Sequence, residues 1–235
     1  MHGWQEFWNS MDWWRLLGFA LSAAAVLLCM TVHEVSHGYA AYWLGDTTAK
    51  SMGRLSLNPL KHVDPIGALL LLFVGVGWAK PVSVDPRHFK NPKGGMALTA
   101  LAGPVSNLML TLLMLLLCRL LTPWMPRAGT ALLLFYMFLC HVAVLSLGLG
   151  IFNLIPIPPL DGSKVLFAIL PEKIYWTIQR YERYILFLVL ALSFFGAFDG
   201  WLSLALEKIL GLFCTLTGMD VNTVLYGSYF FSILR

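Results

Sequence analysis

WRLLGFALSAAAVLLCMTVHEVSHGYAAYWL, residues Trp14 to Leu44, is apolar over far more than the roughly 20 residues that a helix needs to cross a bilayer. The whole chain shares this character. Of its 235 residues, 58% are hydrophobic and only 12% charged, with a mean hydropathy of +0.73. A water-soluble domain coats itself with about 25% charged residues. Most of this chain's outer surface must therefore face something other than water, which excludes a soluble enzyme, a disordered tail and a nucleic-acid binder. The lipid bilayer is the expected partner of that surface. Cys29, Cys118, Cys140 and Cys214 lie in apolar stretches without CxxC spacing and read as small buried hydrophobes. The N-terminal tryptophans Trp4, Trp8, Trp13 and Trp14 read as an interfacial belt rather than part of a cleavable leader.

Three further stretches are long enough to span: Met96 to Leu121, Thr130 to Ile155 and Tyr184 to Leu206. The run Ile66 to Ala79 has 14 residues and three glycines, which suits a short re-entrant or β-hairpin element. Val221 to Leu234 is also short and is left without a placement. The expected fold is an all-α polytopic membrane protein with four full transmembrane helices, forming a single domain over residues 1–235. Its core covers about residues 14–170, followed by a C-terminal span and tail over 171–235. Seven basic residues separate the first two spans (Lys50, Arg54, Lys61, Lys80, Arg87, Lys90 and Lys93). Only Arg127 lies between the second and third, while Lys164, Lys173, Arg180 and Arg183 lie between the third and fourth. By the positive-inside rule, residues 45–95 and 156–183 are cytoplasmic.

Within the first span stands Thr31-Val-His-Glu-Val-Ser-His-Gly38. One ionisable group at bilayer depth costs on the order of 3 kcal/mol or more, and here His33, Glu34 and His37 come together. Residues four apart share a helix face, so both imidazoles can reach one Zn²⁺. Glu34 points elsewhere on the helix and suits a general base acting on water. The plainer alternative is a pair of buried histidines with Glu34 bonded to one of them, but in an apolar span each buried polar group then needs its own partner. A catalytic zinc takes three protein ligands. Asp161, after the proline cluster Pro156, Pro158 and Pro159, lies at the cytoplasmic end of the third span, where the first span also ends. His141 would lie about 20 Å deeper by the helical rise. Asp161 is the better third ligand. The prolines break the span there, and broken backbone at membrane depth is tolerated where it lines a wet cavity.

HExxH in one span and Asn153-Leu-Ile-Pro-Ile-Pro-Pro-Leu-Asp-Gly162 at the end of another resembles the site-2 protease family of intramembrane zinc metalloproteases. Gly53-Arg-Leu-Ser-Leu-Asn-Pro59, Gly77-Trp-Ala-Lys-Pro-Val82 and Ala102-Gly-Pro-Val-Ser-Asn107 resemble its compact bacterial branch, over roughly residues 18–170. The resemblance implies one zinc ion per chain held by His33, His37 and Asp161, water activated by Glu34, and a substrate carbonyl held by Asn153. It implies hydrolysis of transmembrane or membrane-adjacent segments of other membrane proteins, or of signal-peptide remnants, in a bacterial cytoplasmic membrane with the site toward the cytoplasm. The chain has room for neither the PDZ nor the CBS domain that many members carry. The run Ile66 to Ala79 and the strand-like segment Trp78 to Val84 are placed to offer an edge to an extended peptide, or else form a membrane-dipping structural hairpin.

Two other readings compete. A divalent-metal transporter would need polar residues spaced through the membrane depth, whereas these gather near one side. An inactive membrane scaffold of the same fold would be expected to have lost Glu34 or a ligand, and all are present. Of the remaining polar residues, Asn107 reads as a helix-packing or kink device, with a role behind the metal site or toward the substrate next. His141 reads as an interhelical histidine, Asp64 as a turn or cap, and Asp199 as the outer end of the fourth span.

Overall fold

In the computed structural model the described residues are 13–64, 67 and 80–233. Eight α-helices are described: α1 (Trp13–Trp43), α2 (Thr48–Ser51), α3 (Pro92–Leu121), α4 (Thr130–Asn153), α5 (Asp161–Ile169), α6 (Glu172–Phe194), α7 (Asp199–Thr217) and α8 (Val221–Ile233). Among the described residues, four helical segments are long and apolar enough to cross a membrane: Trp13–Trp43, Pro92–Arg127, Thr130–Asn153 and Asp199–Thr217. The all-α polytopic architecture expected from the sequence is the one found. The expected re-entrant run Ile66–Ala79 lies outside the described residues apart from Gly67. The described part of the Trp78–Val84 edge, residues 80–84, forms no strand.

The fourth span differs from its expected place. Tyr184–Leu206 is not one helix, because the chain breaks between Phe194 and Asp199. Gly196 adopts φ +72°, a left-handed conformation that costs glycine nothing. Its N–H bonds the Ser193 carbonyl at 3.1 Å, and the Ala197 N–H bonds that of Leu192 at 2.9 Å. This is the Schellman ending of a helix. Asp199 then opens α7, so it stands at the start of the fourth long apolar helix. The apolar half of α6 is continuous with the charged stretch that holds Arg180, Glu182 and Arg183, which is why hydropathy alone placed the span too early.

The centre of the molecule is α1, α3 and α4. On α3, Gly103, Asn107, Leu110, Thr111, Met114 and Cys118 are buried. Met109, Leu113, Leu116 and Leu120 form an exposed apolar stripe at helical spacing on the other face. Lipid-facing stripes look like this. Close approach of α3 and α4 relies on small residues, as is usual between membrane helices. A Cβ on Gly150 would stand 3.2 Å from the Pro104 carbonyl oxygen and 3.4 Å from Asn107 Cβ. The Ser146 hydroxyl donates to the Asn107 carbonyl at 2.9 Å, and that of Thr111 donates to the same oxygen at 2.9 Å. The four cysteines are buried free thiols, with the sulfurs of Cys118 and Cys140 3.7 Å apart. Short helix α8 packs on α4, and there His141 Nδ1 lies 3.3 Å from the Ser228 hydroxyl.

Just beyond α1, Asp46 is fully buried. Its carboxylate accepts from the backbone N–H of Thr48 at 2.9 Å and of Asp85 at 2.7 Å, and from His88 Nδ1 at 2.8 Å. Burial opposes its ionisation. The bonds from Thr48, Asp85 and His88 outweigh that and hold the carboxyl below its ordinary range. Asp46 thereby fastens residues 85–88 to the end of α1. The Asp64 carboxylate accepts from the Gly67 N–H at 2.9 Å, the cap expected of it.

Candidate metal centre

His33 and His37 lie on one face of α1, four residues apart, with their rings edge to face and centroids 4.6 Å apart. Both Nε2 atoms point at one oxygen. Asp161 Oδ2 is 3.0 Å from His33 Nε2 and 3.1 Å from His37 Nε2. Two ligand atoms each about 2.0–2.1 Å from a tetrahedral zinc stand roughly 3.3 Å apart, so these spacings suit such an ion with little adjustment. All three residues are buried. They are the one group of three or more metal-competent side chains among the described residues.

Local sequence explains why they meet. Gly162 lets the start of α5 press against the end of α4, since a Cβ there would stand 2.2 Å from the Leu154 carbonyl oxygen. That contact carries Asp161 to the histidines. From the other side, α3 reaches the imidazoles at Gly103. A Cβ on Gly103 would come within 2.4 Å of His37 Cε1 and 2.7 Å of His33 Cε1.

The far side of each ring is also engaged. His37 Nδ1 lies 2.7 Å from the Thr99 carbonyl, which can only accept, so Nδ1 carries the proton. The Nε2 lone pair is then left facing Asp161. His33 Nδ1 lies 3.2 Å from the side-chain amide of Asn107. Lys164, one turn into α5, donates to Asp161 Oδ1 at 3.1 Å and leaves Oδ2 to the histidines.

A cavity of about 460 Å³ opens onto this cluster, lined among others by Glu34, Val82, Asn153 and Lys164. Glu34 is half-buried, and its Oε2 accepts the Val82 N–H at 2.9 Å. One amide hydrogen of Asn153 goes to the Leu149 carbonyl at 3.0 Å; its carboxamide has a second. All five residues singled out from the sequence thus border one space, while His141 lies elsewhere, against α8. Three neighbours escaped the sequence reading, Thr99, Gly103 and Lys164, while Val82 belongs to the segment expected to offer a peptide edge. Lys164 left a signal, because a lysine three residues after an aspartate on a helix reaches back to it.

The chain is 38% identical over 199 residues to "Putative zinc metalloprotease YwhC" of Bacillus subtilis, a match covering 81% of this chain and 90% of the relative. The chain belongs to peptidase family M50, the site-2 protease family. The profile of peptidase family M50 matches residues 124–196, which hold Asn153 and Asp161. Further M50-type relatives, each named "Putative zinc metalloprotease Rip2", come from Mycolicibacterium smegmatis and Mycobacterium tuberculosis. They are 28% identical over 188 and 187 residues, covering 78% of this chain and 70% of each relative. No solved structure matches the chain significantly. Membership makes this M50 chain a metalloprotease and an integral membrane protein.

Proposed function

We propose that this protein is an intramembrane zinc metalloprotease that hydrolyses peptide bonds in or beside transmembrane segments of other membrane proteins, or in signal-peptide remnants. The observation that carries the reading is the buried convergence of His33, His37 and Asp161 beside Glu34, with the two histidines and Glu34 on a helix long and apolar enough to cross a bilayer. His33, His37 and Asp161 would hold one zinc ion. Zinc held there supplies Lewis-acid chemistry, polarising a peptide carbonyl and making water acidic enough to ionise near pH 7.

The rest is done by the chain's own groups. Glu34 keeps Oε2 on the Val82 N–H, which leaves Oε1 to take a proton from the attacking water and return it to the departing amine. Asn153 has one amide hydrogen free of the Leu149 carbonyl to offer the substrate carbonyl oxygen as charge develops on it. Lys164 holds Asp161 in place through Oδ1.

Asp161→Ala tests the centre directly. The purified parent should carry about one zinc per chain, and the variant well under a tenth of that, because a site with two ligands binds poorly. Undiminished zinc in the variant would remove Asp161 from the centre. The proposed setting is a bacterial cytoplasmic membrane with the site toward the cytoplasm, supported by the basic residues of 45–95 and 156–183. A reporter fused at Lys90 should then read cytoplasmic and one at Pro126 outside. The reverse pattern would turn the orientation over.

A further inference from the structure

Neutral imidazole has one ring proton, and a nitrogen that binds a metal cannot carry it. For His33 to present Nε2 to an ion, its proton must therefore sit on Nδ1 and be given to an acceptor. The corresponding proton of His37 has the Thr99 carbonyl. At His33, the group facing Nδ1 at 3.2 Å is the carboxamide of Asn107, a residue with no exposed surface. Its Oδ1 is buried and makes no hydrogen bond.

We propose that Asn107 is a positioning residue for the metal centre: its side-chain oxygen, turned onto His33 Nδ1, accepts the ring proton and fixes the tautomer in which Nε2 is free to bind the ion. The inference rests on the metal centre proposed above and adds a residue to it. A carboxamide has nearly the same shape either way round, so the turn needs no space. With the NH₂ end toward Nδ1, the His33 proton sits on Nε2 and is spent on Asp161 at 3.0 Å. With the oxygen toward Nδ1, the proton sits on Nδ1 and the Nε2 lone pair is released. Turning exchanges which end of the amide lacks a partner; the bond gained between His33 and the ion decides between the two.

The surroundings hold Asn107 to this task. Its backbone carbonyl is gripped by Ser146 from α4 and by Thr111, and the Gly150 face of α4 packs on its Cβ. The side chain is thereby aimed across the helix interface at α1. Nothing about kinking α3 requires a carboxamide here, since Pro104 already removes one helical hydrogen bond.

The test is zinc affinity of the full chain in detergent, by competition with a chromophoric chelator, for the parent, Asn107→Leu and Asn107→Asp. Leucine fills a similar volume and cannot accept a proton. It should weaken zinc about 10- to 100-fold, the usual cost of losing the partner behind a metal-bound histidine. Aspartate accepts as well as asparagine and should bind zinc at least as tightly as the parent. Unfolding of the metal-free forms is recorded alongside. Parent-like affinity in the leucine variant overturns the proposal, and so does equal loss in both variants, which would mark a packing role. If the leucine variant does not fold, the aspartate variant decides: retained affinity supports the acceptor role and lost affinity overturns it. A parent that binds no zinc would instead sink the metal centre itself.

Discussion

Glu34→Gln should bind zinc as the parent does and cut a co-expressed membrane substrate about a thousandfold more slowly, within the 10²–10⁴ range that a positioned acid–base group contributes. The amide oxygen of glutamine can still accept the Val82 N–H, so the loop seen at 2.9 Å from Glu34 should stay in place. Only the capacity to take up a proton is lost. Metal analysis of the purified variant and immunoblotting of a tagged substrate check the two halves separately. Undiminished cleavage would remove Glu34 as the base. Loss of zinc would mean that the carboxylate helps to build the site.

The second large effect should come from a residue with no side chain. Gly103→Ala removes no ligand, yet its Cβ would stand 2.4 Å from His37 Cε1 and 2.5 Å from His37 Nε2. His37 cannot retreat without giving up the Thr99 carbonyl at 2.7 Å. Either α3 moves away from α1 or the imidazoles leave Asp161. Overpacking of this kind costs about 1–3 kcal/mol, and zinc affinity should fall at least tenfold by the same competition assay. Gly211→Ala is the matched control, because a Cβ on that α7 glycine meets nothing within 4 Å. It should leave zinc binding unchanged and gain up to about 1 kcal/mol of stability from helix propensity. Equal behaviour of the two variants would contradict the close approach of α3.

Three of the four spans were legible because their boundaries coincide with strong chemical punctuation. Trp14–Leu44, Met96–Leu121 and Thr130–Ile155 correspond to α1, α3 and α4, with α3 beginning earlier at Pro92 under its Asn91 cap. The fourth was misplaced because hydropathy averages over a window and is blind to a single left-handed glycine. Gly196 ends a helix inside an otherwise apolar run. At the site, the spacing of His33 and His37 and the shared depth of Asp161 are properties of single elements, so sequence reveals them. Asn107 and Gly103 matter through which helix face meets which, and Val82 through how the irregular segment after Lys80 lies against α1. That depends on packing among α1, α3 and α4, which no local pattern encodes. Asn107 was visible as a polar group deep in a span, but its direction was not.

The Val82 contact has a consequence for turnover. A free carboxylate swings about its last bond and trades its two oxygens many times in a microsecond. Here such a half-rotation would break the bond that Val82 makes to Oε2. On the proposed chemistry, whichever hydrogen Oε1 collects is the one it must surrender, so a single lone pair serves the outward and the return journey of each catalytic cycle.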